Sequence, residues 1–315
     1  MITQLFRLVL LLTMISFGAT AYYPAQAQSD DVACTTIPNI VVGQFIPLEI
    51  ELGGMNRSYL LYIPTSYDAQ TPAPLVLAFH GFAQGAPRLA GSAGWDVLAE
   101  EHGFVLVYPQ GSGRIPRWES GLFQADEQAV DDVAFVRDLI GILSDSLCID
   151  TTRVYANGLS NGGGMSYRLA CELSDQITAF GGVAGAYSRL AGGCEPSRSV
   201  PVILFHGTDD RIVPYNGSGM SRFALPNIEA FALEWAERNG CDLTPEAIPP
   251  TGDVSGVRYT DCDDNADVVL YTIDGGGHTW PGTEEEFTLL VGKVTQDISA
   301  TATMWAFFAE HAIGD

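Results

Sequence analysis

"ANGLSNGGGMS", residues 156–166, places four glycines and two serines in eleven positions, directly after the β-branched and aromatic run "TTRVY" (151–155). Glycine at that density costs conformational entropy on folding, so the chain must need backbone freedom there. Within it, Gly158-Leu159-Ser160-Asn161-Gly162 reads G-x-S-x-G, set between a strand and the helical stretch "GGGMSYRLACEL" (162–173). A serine presented on a sharp strand-to-helix turn needs this spacing, because residues two before and two after it must lack bulk where the segments nearly collide. The helix that follows would aim its positive end at the serine oxygen. An ordinary turn with Ser160 as a helix cap matches the same five residues. The rest of the chain has to supply what a nucleophile needs.

The surrounding pattern alternates. "RSYLLYIP" (57–64), "APLVLAFHG" (73–81), "FVLVYP" (104–109), "RVYANG" (153–158), "PVILFHG" (201–207) and "DVVLYTID" (267–274) read as strands. Several are unbroken apolar runs, which suits strands covered on both faces. Between them, 126–147, 162–173, 227–240 and 297–311 carry helical spacing. Strand–helix alternation predicts an α/β fold with a mostly parallel central sheet and helices on both faces. With no repeat, low-complexity tract or Pro/Ser/Thr linker, residues 28–315 are expected to form a single catalytic domain.

Residues 1–27 read as a signal peptide. Arg7 supplies the positive start, Leu8 to Phe17 the apolar core, and Ala25-Gln26-Ala27 a cleavage site. The apolar core is too short to span a bilayer. Six cysteines all lie after it, at 34, 148, 171, 194, 241 and 262, and an even set in an exported chain implies disulfides. None forms a C-x-x-C pair, which disfavours zinc. The net charge is −23, which disfavours nucleic acid and anionic membrane as partners. A secreted monomer is the expectation.

A serine hydroxyl needs a base, and the base needs an acid. The order serine, acid, histidine leaves His278 and His311 as candidates for the base, downstream of both serine and acid. His311 falls at the end of the last helix, where a charge–dipole contact explains it. His278 follows "DGGG" after a strand, in a turn able to aim an imidazole into a cleft. "HGTDDRIVPY" (206–215) offers Asp209 and Asp210 as the acid, and the pattern does not choose between them. An oxyanion hole takes one amide from the residue after the serine, Asn161, and a second from a strand–loop junction. "AFHGFAQG" (78–85) provides that junction, with Phe82 giving the amide and His80 orienting the loop. The acidic stretch 261–267 lacks the glycine and glutamate of a calcium loop, so no metal is expected there.

From Arg57 to Phe308 the chain resembles the exported α/β-hydrolase esterases grouped with polyhydroxybutyrate depolymerases and feruloyl esterases, the carbohydrate esterase family 1-like group. The resemblance rests on "HGFAQ", "YPQGSGR", "VDDVAFV", "VYANGLSNGGGMSYRLACE", "HGTDDRIVPY" and "GGGHTWPG", in that order. It implies an α/β-hydrolase fold with Ser160 as nucleophile, His278 as base and Asp210 as acid. Phe82 and Asn161 would form the oxyanion hole, and no cofactor would be required. Many relatives carry adjacent cysteines after a Trp-Asn motif, and "RWESGLFQADEQ" (117–128) has none. Trp118 in that loop and Trp280, two residues past His278, are expected to line the substrate cleft together with His80. Feruloyl or acetyl esters of plant polysaccharide are the expected substrates, with polyester oligomers or films as the alternative. A catalytically dead binding module and an acyltransferase are the competing classes. The expected disulfides are Cys34–Cys148, Cys171–Cys194 and Cys241–Cys262.

Overall fold

The unbroken apolar runs fall in the middle of a ten-stranded sheet in the computed structural model. The structure describes Cys34 and residues 41–52, 54–122, 130–219, 224–284 and 288–314. The expected signal peptide and the first residues of the expected helix at 126 lie outside the described residues. The strands are β1 (Phe45–Leu52), β2 (Met55–Tyr62), β3 (Ala73–Phe79), β4 (Val105–Pro109), β5 (Ile149–Leu159), β6 (Ala179–Val183), β7 (Val202–Gly207), β8 (Glu246–Thr251), β9 (Val254–Tyr259) and β10 (Val268–Ile273). The helices are α1 (Ala86–Ala93), α2 (Trp95–His102), α3 (Asp132–Ser146), α4 (Asn161–Glu172), α5 (Ile228–Arg238), α6 (Thr288–Val291) and α7 (Ala300–Phe308).

Strand order is β1-β2-β4-β3-β5-β6-β7-β10-β9-β8. The central six, β4-β3-β5-β6-β7-β10, are mutually parallel, and antiparallel hairpins β1–β2 and β9–β8 finish the two edges. This is the α/β-hydrolase arrangement. Side-chain alternation divides the core. Val76, Ala78 and Phe205 pack against α1, α2 and α7, while Leu75, Leu77 and Leu204 face α3, α4 and α5. Each buried Val, Leu or Phe among them contributes roughly 1.5–3 kcal/mol. A sheet covered this way can be apolar on both faces, which is why its strands do not alternate.

Three helices start on side-chain caps: Asp131 accepts from the Ala134 amide, Asn227 from that of Ala230, and Ser299 from that of Ala302. The three expected disulfides are all present, closing sequence separations of 114, 23 and 21 residues. Among the described residues no helix is long and apolar enough to cross a membrane.

Candidate active site

The G-x-S-x-G turn is built from steric exclusion. A Cβ on Gly162 would lie 2.0 Å from the Phe79 carbonyl oxygen, and one on Gly158 would lie 2.5 Å from the backbone of Gly162. Only glycine allows β5, the end of β3 and the start of α4 to meet there. Ser160 between them is held at φ 57°, ψ −117°, a region unfavourable for a residue with a side chain. Its N–H donates to the Val183 carbonyl, and its own carbonyl accepts from the amides of Gly164 and Ala186. Ser160 retains 9% exposure. The strain is therefore maintained by neighbours on two sides.

Asp210 and His278 occupy the loops after β7 and β10, at the same end of the parallel sheet as Ser160. His278 Nδ1 donates to Asp210 Oδ2 at 2.7 Å, with both side chains buried. Asp210 Oδ1 accepts the amides of Ile212 and Val213, each at 2.8 Å. Burial alone would raise the Asp210 carboxyl; donors from His206 and His278 outweigh it and hold the group well below the usual carboxylate range. The neighbouring Asp209 is exposed and meets the His278 loop through its backbone amide on the Gly276 carbonyl. Of the two adjacent aspartates, the structure brings Asp210 to His278.

The expected oxyanion loop lies against the serine, since a Cβ on Gly81 would be 3.5 Å from that of Ser160. His80 is buried in it. The Gly111 amide donates to His80 Nε2 at 2.9 Å, so that nitrogen is an acceptor and Nδ1 carries the hydrogen. Nδ1 then donates to the Gly81 carbonyl at 2.8 Å. Burial lowers the pKa of His80 despite that bond and keeps the ring neutral. Holding the Gly81 carbonyl fixes the plane of the peptide that also carries the Phe82 N–H. Asn161 is the first residue of α4, where helix amides have no partner within the helix.

The two tryptophans require a correction. Trp118 has 0% exposure and Trp280 has 4%, so neither offers a ring face to a cleft. Trp118 Nε1 donates to the His80 carbonyl, its N–H donates to Asn161 Oδ1, and its carbonyl accepts from Asn161 Nδ2. It couples the oxyanion loop to the start of α4 from behind. Trp280 packs in the core beneath α7 and donates to Thr301 Oγ1. The exposed aromatic residue of the loop that approaches the serine is instead Phe82, at 43%. His80, placed with them as a substrate contact, is likewise buried and acts on the loop.

His206 went unread in the sequence although it lies within 3.4 Å of Asp210 Oδ2. A signal was present: β3 and β7 both run out in "FHG", at 79–81 and 205–207, and each leads into a loop of the site.

A protein-family model for esterase PHB depolymerases matches residues 57–216, about half of the chain and including Ser160 and Asp210. The chain belongs to this family. It is accordingly a carboxylic ester hydrolase. It is 31% identical over 233 residues to feruloyl esterase B of Piromyces equi, covering 70% of this chain and 42% of that protein's length. Feruloyl esterase C of Emericella nidulans is 26% identical over 276 residues, 86% of this chain and 90% of the relative. The fold matches the acetyl xylan esterase of Aspergillus awamori with a TM-score of 0.59 over 85% of this chain, at 16% identity.

Proposed function

We propose that this esterase is an exported serine hydrolase that cleaves feruloyl or acetyl esters of plant polysaccharide. His278 takes the proton as Ser160 Oγ attacks the ester carbonyl. Asp210 holds the imidazole with Nδ1–H inward and stabilises its positive charge. The amides of Phe82 and Asn161 receive the oxyanion, a contribution of several kcal/mol in such sites. Collapse expels the alcohol with the proton from His278 and leaves an acyl group on Ser160. Water repeats the cycle and releases the acid. The scheme needs no metal or cofactor.

The observation that carries the reading is the 2.7 Å bond from His278 Nδ1 to Asp210 Oδ2, at the sheet end where Ser160 sits in its strained turn. The substrate class is supported by the relatives, whose names are those of feruloyl and acetyl xylan esterases. With both tryptophans buried, the Phe82 ring is the aromatic surface proposed to meet a feruloyl group. Export is supported by the three disulfides. The net charge of −23 supports a monomer that avoids nucleic acid and anionic membranes.

One observation favours aliphatic polyester as a second reading. Phe82, Ile115 and Ile212 are exposed apolar side chains on the loops after β3, β4 and β7, and Leu289 and Leu290 are exposed in α6, which follows β10. Parallel assays on methyl ferulate, acetylated xylan, a hydroxybutyrate oligomer and a polyester film separate the two. Release of ferulate or acetate is expected, labelled stoichiometrically and abolished by a serine-reactive phosphonate and by Ser160→Ala. Film or oligomer hydrolysis without ferulate or acetate release overturns the substrate assignment. Activity surviving Ser160→Ala overturns the mechanism. Transfer of the acyl group to an added alcohol in preference to water would make it an acyltransferase.

A further inference from the structure

We propose that His206 is a second histidine on the acid of this site, a positioning residue whose Nε2–H holds both the Asp210 carboxylate and the turn that carries it. The inference rests on the reading of Ser160, Asp210 and His278 given above. His206 is the last side chain of β7, buried and in register with Thr272 of β10. Its Nε2 lies 2.8 Å from the Val213 carbonyl and 3.4 Å from Asp210 Oδ2. Both neighbours are acceptors, so the nitrogen between them must carry the hydrogen. The result is a forked bond, with the carbonyl on its short arm and the carboxylate on its long one.

Val213 closes a ring. Its N–H donates to Asp210 Oδ1 and its carbonyl accepts from His206. The turn 210–213 is therefore gripped by the carboxylate on one side and by an imidazole rooted in the sheet on the other. Asp210 Oδ2 is shared between two rings, His206 from β7 and His278 from the loop after β10. Removing the His206 donor does two separable things. It leaves the Val213 carbonyl buried without a partner, so the acid can drift from the position that aligns His278. It also concentrates negative charge on Oδ2, which stabilises the imidazolium form of His278 more strongly. The other titratable neighbour is Tyr215, whose ring meets that of His206 edge-on at 5.9 Å. Its hydroxyl bonds Thr272 Oγ1 and Glu229 Oε1 of α5, so Glu229 is the remaining charged group on that side.

His206→Phe keeps the ring and removes the donor; His206→Gln keeps an N–H on a flexible stem. His206→Phe should lower kcat by about ten- to a hundredfold, the range that sub-ångström to 1 Å misplacement produces, with KM moving less than about threefold. Its acidic limb in kcat/KM should move to higher pH, because the carboxylate oxygen that faces His278 has lost a competing donor. His206→Gln should recover much of kcat and bring the limb back. Ring-nitrogen NMR of the unmodified enzyme provides a check that needs no variant: His206 should show a protonated Nε2 and an unprotonated Nδ1. The opposite tautomer overturns the proposal, as does a folded His206→Phe enzyme with kcat within threefold of the parent. Equal impairment of both variants with an unmoved limb reduces His206 to packing and also overturns it. Full activity of Ser160→Ala would instead remove the reading of the site on which the inference stands.

Discussion

Asp209 and Asp210 are chemically identical neighbours whose environments differ in every respect that matters for catalysis. Asp210 is buried, accepts two backbone amides on one oxygen and His278 on the other, and stays ionised. Asp209 faces solvent. Asp210→Asn should therefore lower turnover by about 10⁴-fold, because an amide cannot hold the imidazole in the required tautomer. Asp209→Asn should leave it within about twofold, as expected of an exposed side chain away from the chemistry. Steady-state kinetics on one soluble ester decide between them, and the reverse ranking would move the acid to Asp209. Ser160 and His278 were legible because G-x-S-x-G and a glycine-flanked histidine after a strand are backbone demands, written in residues that no other role explains as well. The choice between the aspartates needed the family motif, since both fit the turn. Trp280 was misread for a related reason: nearness to His278 along the chain says nothing of which side of the loop a ring falls on. His206 was hidden within a strand whose every residue is buried.

Among the elements, the central strands other than β6 and the four long helices follow from apolar run length and period. The strands that escaped have physical excuses. β8 contains Pro249 and Pro250 and survives because it is the outermost strand, where missing amide donors leave no neighbour unpaired. β6 reads "AFGGV", poor in strand formers, since Met304 of α7 packs where a side chain on Gly181 would sit. β1 alternates half-buried and exposed positions at one edge, so it lacks the apolar run of the strands further in. One connection between elements has a measurable weight. Arg57 of β2 pairs with Asp132 at the start of α3 at 2.7 Å, both buried, and its guanidinium lies 3.8 Å over the Phe135 ring. The second Asp132 oxygen accepts the Glu119 amide, next to Trp118. Arg57→Met should destabilise by about 3–5 kcal/mol, because it leaves a buried carboxylate uncompensated. Adding Asp132→Asn should restore part of that by removing the charge while keeping an acceptor for Glu119. Urea unfolding of the parent and the two variants tests this; a loss below about 1 kcal/mol in Arg57→Met would mean that water reaches the carboxylate.

At the scale of the molecule, the proposed site and the C-terminal anchor lie at opposite ends of β5. Ser160 follows its last residue, whereas the backbone of Thr152 near its start is bonded by the amide of Ile313 just past His311. His311 is buried, with its ring 4.6 Å from that of Phe307 and its carbonyl accepting from the Tyr155 hydroxyl. Burial lowers its pKa below 6.5, against an opposing pull from Asp267 and Glu310, and burial lowers that of His80 in the same way. The sign follows from proton counting. Unfolded, both rings bind a proton near pH 6.5; folded, they resist it until lower pH. The unfolded chain thus holds more protons just below 6.5, and stability is fully present above that value and declines as pH falls through it. The depressed Asp210 carboxyl adds a loss only at much lower pH, where the unfolded carboxylate protonates. Thermal unfolding should accordingly show Tm falling between about pH 7 and pH 5, before the carboxylates titrate. His311→Leu removes one of the two contributions at a position remote from Ser160. It should reduce the slope of Tm against pH in that window and leave kcat/KM for a soluble ester unchanged. A slope identical to that of the parent would assign the acid sensitivity to His80 alone, and a flat parent profile would show that neither ring resists protonation in the folded state.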